Sequence, residues 1–194
     1  MTRLIRPALA AAALTLSLGG CFGAKLPDTL FSLTPTAAPA AGSGASGTLA
    51  EALMVLEPEV DRKLSITRVP VQVDDSNVAY LKDAAWVERP ARQFRNLLAE
   101  TLRAKGNRLI VDEQGGTGLI GQRLGGRLID MGYDATSQSV VVRFEAVRSS
   151  TGGTVSTRRF EAIEPGVTAD PIAVGPALNR AANKVAGDVA AWIG

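Results

Sequence analysis

Histidine is absent from the 194-residue chain, and cysteine occurs once, at Cys21. Without imidazole the chain lacks the usual general base near neutral pH and the commonest metal ligand. Ser-His-Asp, Cys-His and His-rich zinc arrangements are therefore excluded. One cysteine excludes any disulfide within the chain. Long apolar runs are scarce as well: the N-terminal one, Leu9 to Leu18, is about ten residues, half of the roughly twenty that cross a bilayer. Aromatics make up only 5% of the residues. Of the acidic residues, Asp74-Asp75 is the most conspicuous pair, yet Asp74-Asp75-Ser76-Asn77 reads as a turn between two strands, since neighbours on a strand point to opposite faces. No nucleophile motif accompanies it, and a hydrolase is disfavoured. No cofactor or metal site is indicated, and the chain is expected not to be an enzyme.

What is present begins with a compartment signal. Arg3 and Arg6 precede the apolar run, which has the length of a signal-peptide core. It ends in Leu18-Gly19-Gly20-Cys21, small residues before a cysteine, and this resembles the lipobox of secreted bacterial lipoproteins. The resemblance implies cleavage before Cys21 and attachment of diacylglycerol to its thiol. Two or more acyl chains, at about 0.8 kcal/mol per buried methylene, make a lasting anchor. The alternative is an ordinary secretory signal that leaves Cys21 as a free, reactive thiol. Removing residues 1–20 takes away Arg3 and Arg6 and no acid, which leaves 19 of the 21 Lys+Arg against 19 Asp+Glu. The pI of 8.9 is then no argument for a basic surface, and nucleic acid is not an expected partner.

The remaining chain divides into residues 21–34 behind the lipidated end, a linker at 35–50 and a domain at 51–194. Thr29 to Thr34 is a candidate strand around Phe31 and Leu33. Pro35 to Gly47 is almost wholly Pro, Ala, Gly, Ser and Thr, a composition that predicts flexibility. Two arrangements of Phe31 and Leu33 are open, docked on the domain or hanging free. Docking is expected, because an apolar pair before a linker would otherwise stand in water.

Within the domain, Leu53 to Leu56 and Leu64 to Val73 read as strands, with Pro70 marking an edge position or a bulge. Val78 to Leu81 follows the turn. Pro90 opens a helix in which Phe94, Leu97, Leu98 and Leu102 recur at helical spacing, Arg103 and Lys105 favour its C-terminal end, and Gly106 suits the left-handed cap. Its other face carries Arg92, Arg95, Asn96 and Glu100, a solvated surface or a partner-binding face. Leu109 to Val111 is a short strand. Gly116-Thr117-Gly118-Leu119-Ile120-Gly121 matches the dinucleotide fingerprint literally, but Gly125 and Gly126 follow and Leu124 to Tyr133 reads as a strand where the fingerprint needs a helix. Nucleotide binding is not expected there. Val140 to Ala146 and Val155 to Ile163 form a hairpin, and a second helix, starting at Asp170-Pro171 or at Pro176, places Leu178, Ala181, Val185, Val189 and Trp192 on one stripe. The pattern predicts an α+β fold, an α/β sandwich of a mostly antiparallel sheet packed by two main helices, preceded by a lipoprotein signal peptide and a flexible linker.

Taken in order, Phe31-Ser32-Leu33, Val60-Asp61-Arg62, Tyr80-Leu81 with Trp86, Arg158-Arg159-Phe160 and the Ala177-Leu178 to Trp192-Ile193 helix resemble the ABC-type transport auxiliary lipoprotein family, which includes paraquat-inducible protein C. The resemblance implies a periplasmic domain anchored on the outer membrane. It also implies a transport system with an inner-membrane permease, an ATPase and a periplasmic MCE-domain protein that moves lipids or other apolar compounds. Phe22 after the lipid cysteine is compatible with outer-membrane sorting, since an aspartate there commonly signals retention in the inner membrane. Two functions then compete: an adaptor that docks the MCE protein through exposed strand edges or the polar face of the Pro90 to Lys105 helix, and a carrier that holds a lipid or small apolar ligand in a pocket between sheet and helices.

Overall fold

The structure, a computed structural model, describes residues 27–106, 108–112 and 119–194. The expected signal peptide, Cys21 and Phe22, and the fingerprint glycines Gly116 and Gly118 lie outside the described residues. In chain order the elements are β1 (Leu53–Val55), β2 (Glu59–Val60), β3 (Arg68–Gln72), β4 (Val78–Ala85), α1 (Pro90–Lys105), β5 (Ile110–Val111), β6 (Gln122–Asp134), β7 (Ser139–Ser150), β8 (Val155–Pro165) and α2 (Pro171–Ile193).

The 13-residue β6 organises the sheet. Along one side it pairs antiparallel with β7, from Gln122↔Ser150 to Asp134↔Ser139. Along the other side β1, β2 and β3 follow one another, all parallel to β6. β5 flanks β1 in parallel, β4 flanks β3 antiparallel, and β8 closes the far side against β7. The sheet is thus mixed, not mostly antiparallel as the sequence predicts. The reason is the crossover: α1 carries the chain back before β5 and β6 begin, so both run in the direction of β1.

Both helices lie over one face. Val140, Val142, Phe144 and Ala146 of β7 are fully buried, and α2 packs across β7 and β8 and against α1. The Phe94 and Phe144 rings meet at 5.2 Å between α1 and the sheet. The α2 stripe supplies Leu178, Ala181, Val185 and Val189, all fully buried. Each large aliphatic side chain contributes roughly 1.5–3 kcal/mol relative to exposure. Trp192 is only partly buried and tilts against Phe160 at 5.7 Å.

The helix ends follow local chemistry. α1 begins at Pro90 without a side-chain cap and stops at Gly106, whose φ of 69° is the left-handed conformation that glycine adopts without strain. α2 starts at the earlier of its two candidate positions: Asp170 accepts from the Ile172 and Ala173 amides at 2.9 and 3.0 Å. Those bonds, the Ala173 one foremost, hold its carboxyl below the usual range. Pro176 is accommodated inside the helix. Pro70 sits beside a shift of the β3–β4 register, but β3 is not an edge strand, because Val71 and Gln72 pair with β6.

Candidate docking and anchoring surfaces

The N-terminal segment is part of the fold. Phe31 forms a parallel bridge with Trp86; its amide donates to the Ala85 carbonyl at 2.7 Å and its carbonyl accepts from the Val87 amide at 2.9 Å. The two rings meet edge to face at 5.6 Å. Beyond Phe31 the strand partner ends and side-chain amides take over. Gln93 of α1 accepts from the Leu33 amide at 2.9 Å. Asn179 and Asn183 of α2 accept from Thr34 and Thr36, each at 2.8 Å, and Asn183 donates to the Thr34 carbonyl at 2.9 Å. A chain segment without a sheet neighbour still needs partners for its backbone groups, and the three amides supply them. Sequence reading finds Phe31 and Leu33 through their apolar alternation. It misses Gln93, Asn179 and Asn183, whose helical spacing carries no signal until the segment they hold is known. Residues 37–47 have no helix or strand, and Pro39 to Ser46 border Arg103, Gly106 and Arg108.

The four α1 residues proposed for partner binding divide. Arg92 and Asn96 are exposed, while Arg95 and Glu100 are half-buried. Arg92 pairs with Glu88 at 3.2 Å and Glu100 with Arg103 at 2.7 Å, so much of this face's charge is neutralised by neighbours on the same chain. Arg95 differs: its Nε is buried without a hydrogen-bond partner.

The sheet face turned away from the helices carries a ladder of charge that sequence reading does not assemble. Lys63 and Arg143 both pair with Asp130, and Arg143 continues to Glu161, with Nε to Oε2 at 2.6 Å. Arg159 reaches Glu145 at 2.7 Å. The pairs are partly exposed and contribute little each, but they tie Lys63, in the short 3-10 turn Arg62–Leu64, to β6, β7 and β8 across the open face. A cavity of about 360 Å³ opens there, lined by Lys63, Gln72, Asp130, Asp134, Val141 and Arg143 among others. Beyond β8 no further strand follows among the described residues, which leaves an 11-residue outer edge.

Asp74 and Asp75 lie in the turn between β3 and β4. Asp74 accepts from the Asn77 side chain at 2.8 Å and from the Ser76 and Asn77 amides at 2.9 and 3.0 Å. These bonds, the Asn77 side chain first, hold its carboxyl below the usual range. Of the fingerprint, Gly121 is described: a β-carbon on it would lie 1.7 Å from the Ala50 carbonyl oxygen. A strand follows it, not a helix. Among the described residues no three His, Cys, Asp or Glu side chains come together as a metal site, and no helix is long and apolar enough to cross a membrane.

A single mixed sheet under two helices, with the N-terminal segment strapped into the helix pair, defines the class as an α+β domain. Residues 31–190 match the model of the ABC-type transport auxiliary lipoprotein component, and the chain belongs to that family. The crystal structure of a Xanthomonas campestris protein is similar, with a TM-score of 0.71 at 16% identity over 84% of this chain and 94% of that one. That of an uncharacterized protein gives 0.66 at 15% identity over 86% and 100%. At these identities the likeness is one of fold. No curated protein matches the chain.

Proposed function

We propose that the protein is a non-catalytic lipoprotein, anchored at the periplasmic face of the outer membrane through lipidated Cys21, that serves an ABC/MCE-type transport system as an adaptor. In this reading it docks the periplasmic MCE-domain protein, whose system includes an inner-membrane permease and an ATPase and moves lipids or other apolar compounds. Family membership supports the transport role.

The observation that carries the adaptor over the carrier is the contrast between a filled interior and an edge with no neighbouring strand among the described residues. Between sheet and helices, Phe94, Leu97, Phe144, Leu178 and Val185 are buried to 2% exposure or less. The 360 Å³ cavity lies on the opposite face among charged side chains, a poor lining for a lipid. The outer edge of β8, by contrast, offers backbone donors and acceptors to an added strand.

The test uses proline at two neighbouring positions, Thr157→Pro and Arg158→Pro. Amides alternate in direction along a strand, so one variant breaks the β7 ladder and the other only blocks the outer edge. The variant that keeps its melting temperature is expected to lose binding to the purified MCE protein. Undiminished binding sinks the edge-docking reading, and stoichiometric lipid co-purifying with the soluble domain would favour the carrier.

A further inference from the structure

Three large apolar side chains stand exposed around Phe31: Leu30 at 44%, Val87 at 57% and Ile172 at 88% of their surface. Leu30 precedes Phe31, and the Val87 amide is bonded to the Phe31 carbonyl. Ile172 is placed by the docked segment itself. Phe31 meets Gly175, Thr34 meets Asn179 and Thr36 meets Asn183, so the segment and α2 advance in the same direction along one helix stripe. Ile172, one turn before Gly175, lies on that stripe where the chain upstream of Phe31 leaves the domain.

We infer that this end of the domain seats on the lipid surface, with Leu30, Val87 and Ile172 dipping into the headgroup layer. The inference rests on the anchor proposed at Cys21. Leu30 is only nine residue steps beyond Cys21, and at about 3.3 Å per step these hold it within roughly 30 Å of the bilayer. The docked Phe31 removes the slack that a free segment would add. Exposed apolar patches of this kind are where soluble domains meet membranes or partners, and here the surface the tether dictates is lipid.

Seating this end fixes the rest. α2 starts at the membrane and runs away from it for about 35 Å at 1.5 Å per residue. Its far end, where Arg148 reaches the Ile193 carbonyl, lies beside Val155, which pairs with Ser149. The β7–β8 turn thus points into the periplasm.

The experiment uses the full lipidated chain, in which acylation leaves any introduced thiol as the one free to react. Ile172→Cys, Val87→Cys and the distal Val155→Cys are labelled with an environment-sensitive fluorophore. Each is reconstituted on vesicles of phosphatidylethanolamine and phosphatidylglycerol containing a lipid with a headgroup nitroxide. Quenching several-fold stronger at positions 172 and 87 than at 155 is the expected result. Equal quenching at all three, or none at 172 and 87 in protein that floats with the vesicles, overturns the seating while leaving the anchor intact. Mass analysis of the N-terminal peptide reads the anchor separately, and an unacylated Cys21 overturns both.

Discussion

The Phe31 ring lies so close to Gly175 that a β-carbon on the glycine would stand 3.0 Å from Phe31 Cε1. A residue outside the contiguous domain thus closes over a gap left in the second helix. The glycine is costly in a helix interior, by about 1 kcal/mol relative to alanine, and the aromatic contact offsets that cost. Gly175→Ala is expected to change stability little, because better helix propensity opposes a crowded ring. Gly175→Leu is expected to evict Phe31. Hydrogen exchange at the Phe31 and Val87 amides measures this directly, and continued protection in the leucine variant would contradict it.

Replacing Phe31 and Leu33 together by Ser is expected to destabilise the domain by about 2–4 kcal/mol, since both pack against the core while only partly buried. Thermal unfolding of a soluble form beginning at Phe22 should show a melting temperature lower by on the order of 5–10 °C. An unchanged value would mean that the segment contributes nothing and that the domain hangs on a long leash.

Asn183 engages both Thr34 and Thr36, so Asn183→Ala removes a two-point grip at a cost of about 1–2 kcal/mol. The loss should be local. Amide exchange is predicted to quicken at Thr34 and Thr36 while the buried strands β6 and β7 keep their protection; uniform acceleration across the sheet would show a different role.

Asp170 carries a pH prediction. Its folded pKa lies below the unfolded value near 3.9. The stability it contributes is therefore present above that value and is lost as the pH falls through the folded pKa. Asp170→Asn keeps a capping oxygen that does not titrate. The variant and the parent should have similar melting temperatures at pH 7, and the gap should move in the variant's favour below pH ~3.5. Parallel curves across the acid range would rule out this cap as a titrating contact.

Gly126, inside β6, has φ of 129°, and a β-carbon there would lie 1.9 Å from the Glu145 carbonyl oxygen. Relief requires the β6–β7 backbones to separate. Gly126→Ala is expected to cost at least about 3 kcal/mol or to abolish soluble expression; near-normal stability would show that the ladder has room to yield.

Local pattern alone determined α1, α2 and the β7–β8 hairpin, because their apolar spacing, caps and turn lie within a few residues of one another. The alternation of Phe31 and Leu33 was legible for the same reason. So were the exposed Arg92 and Asn96, whereas the pairing of Glu100 with Arg103 shows only once the side chains are placed. Tertiary structure decided what depends on neighbours distant in sequence. The parallel run of β1, β2 and β3 beside β6 turned an expected mostly antiparallel sheet into a mixed one, and strand direction follows from crossovers that no alternation of apolar residues encodes. The ladder through Lys63, Asp130, Arg143 and Glu161 exists only once register places four elements side by side. The grip of Gln93, Asn179 and Asn183 on residues 33–36 likewise required two helices and a distant segment to meet, since an amide side chain has no preferred partner until folding brings a backbone within its reach.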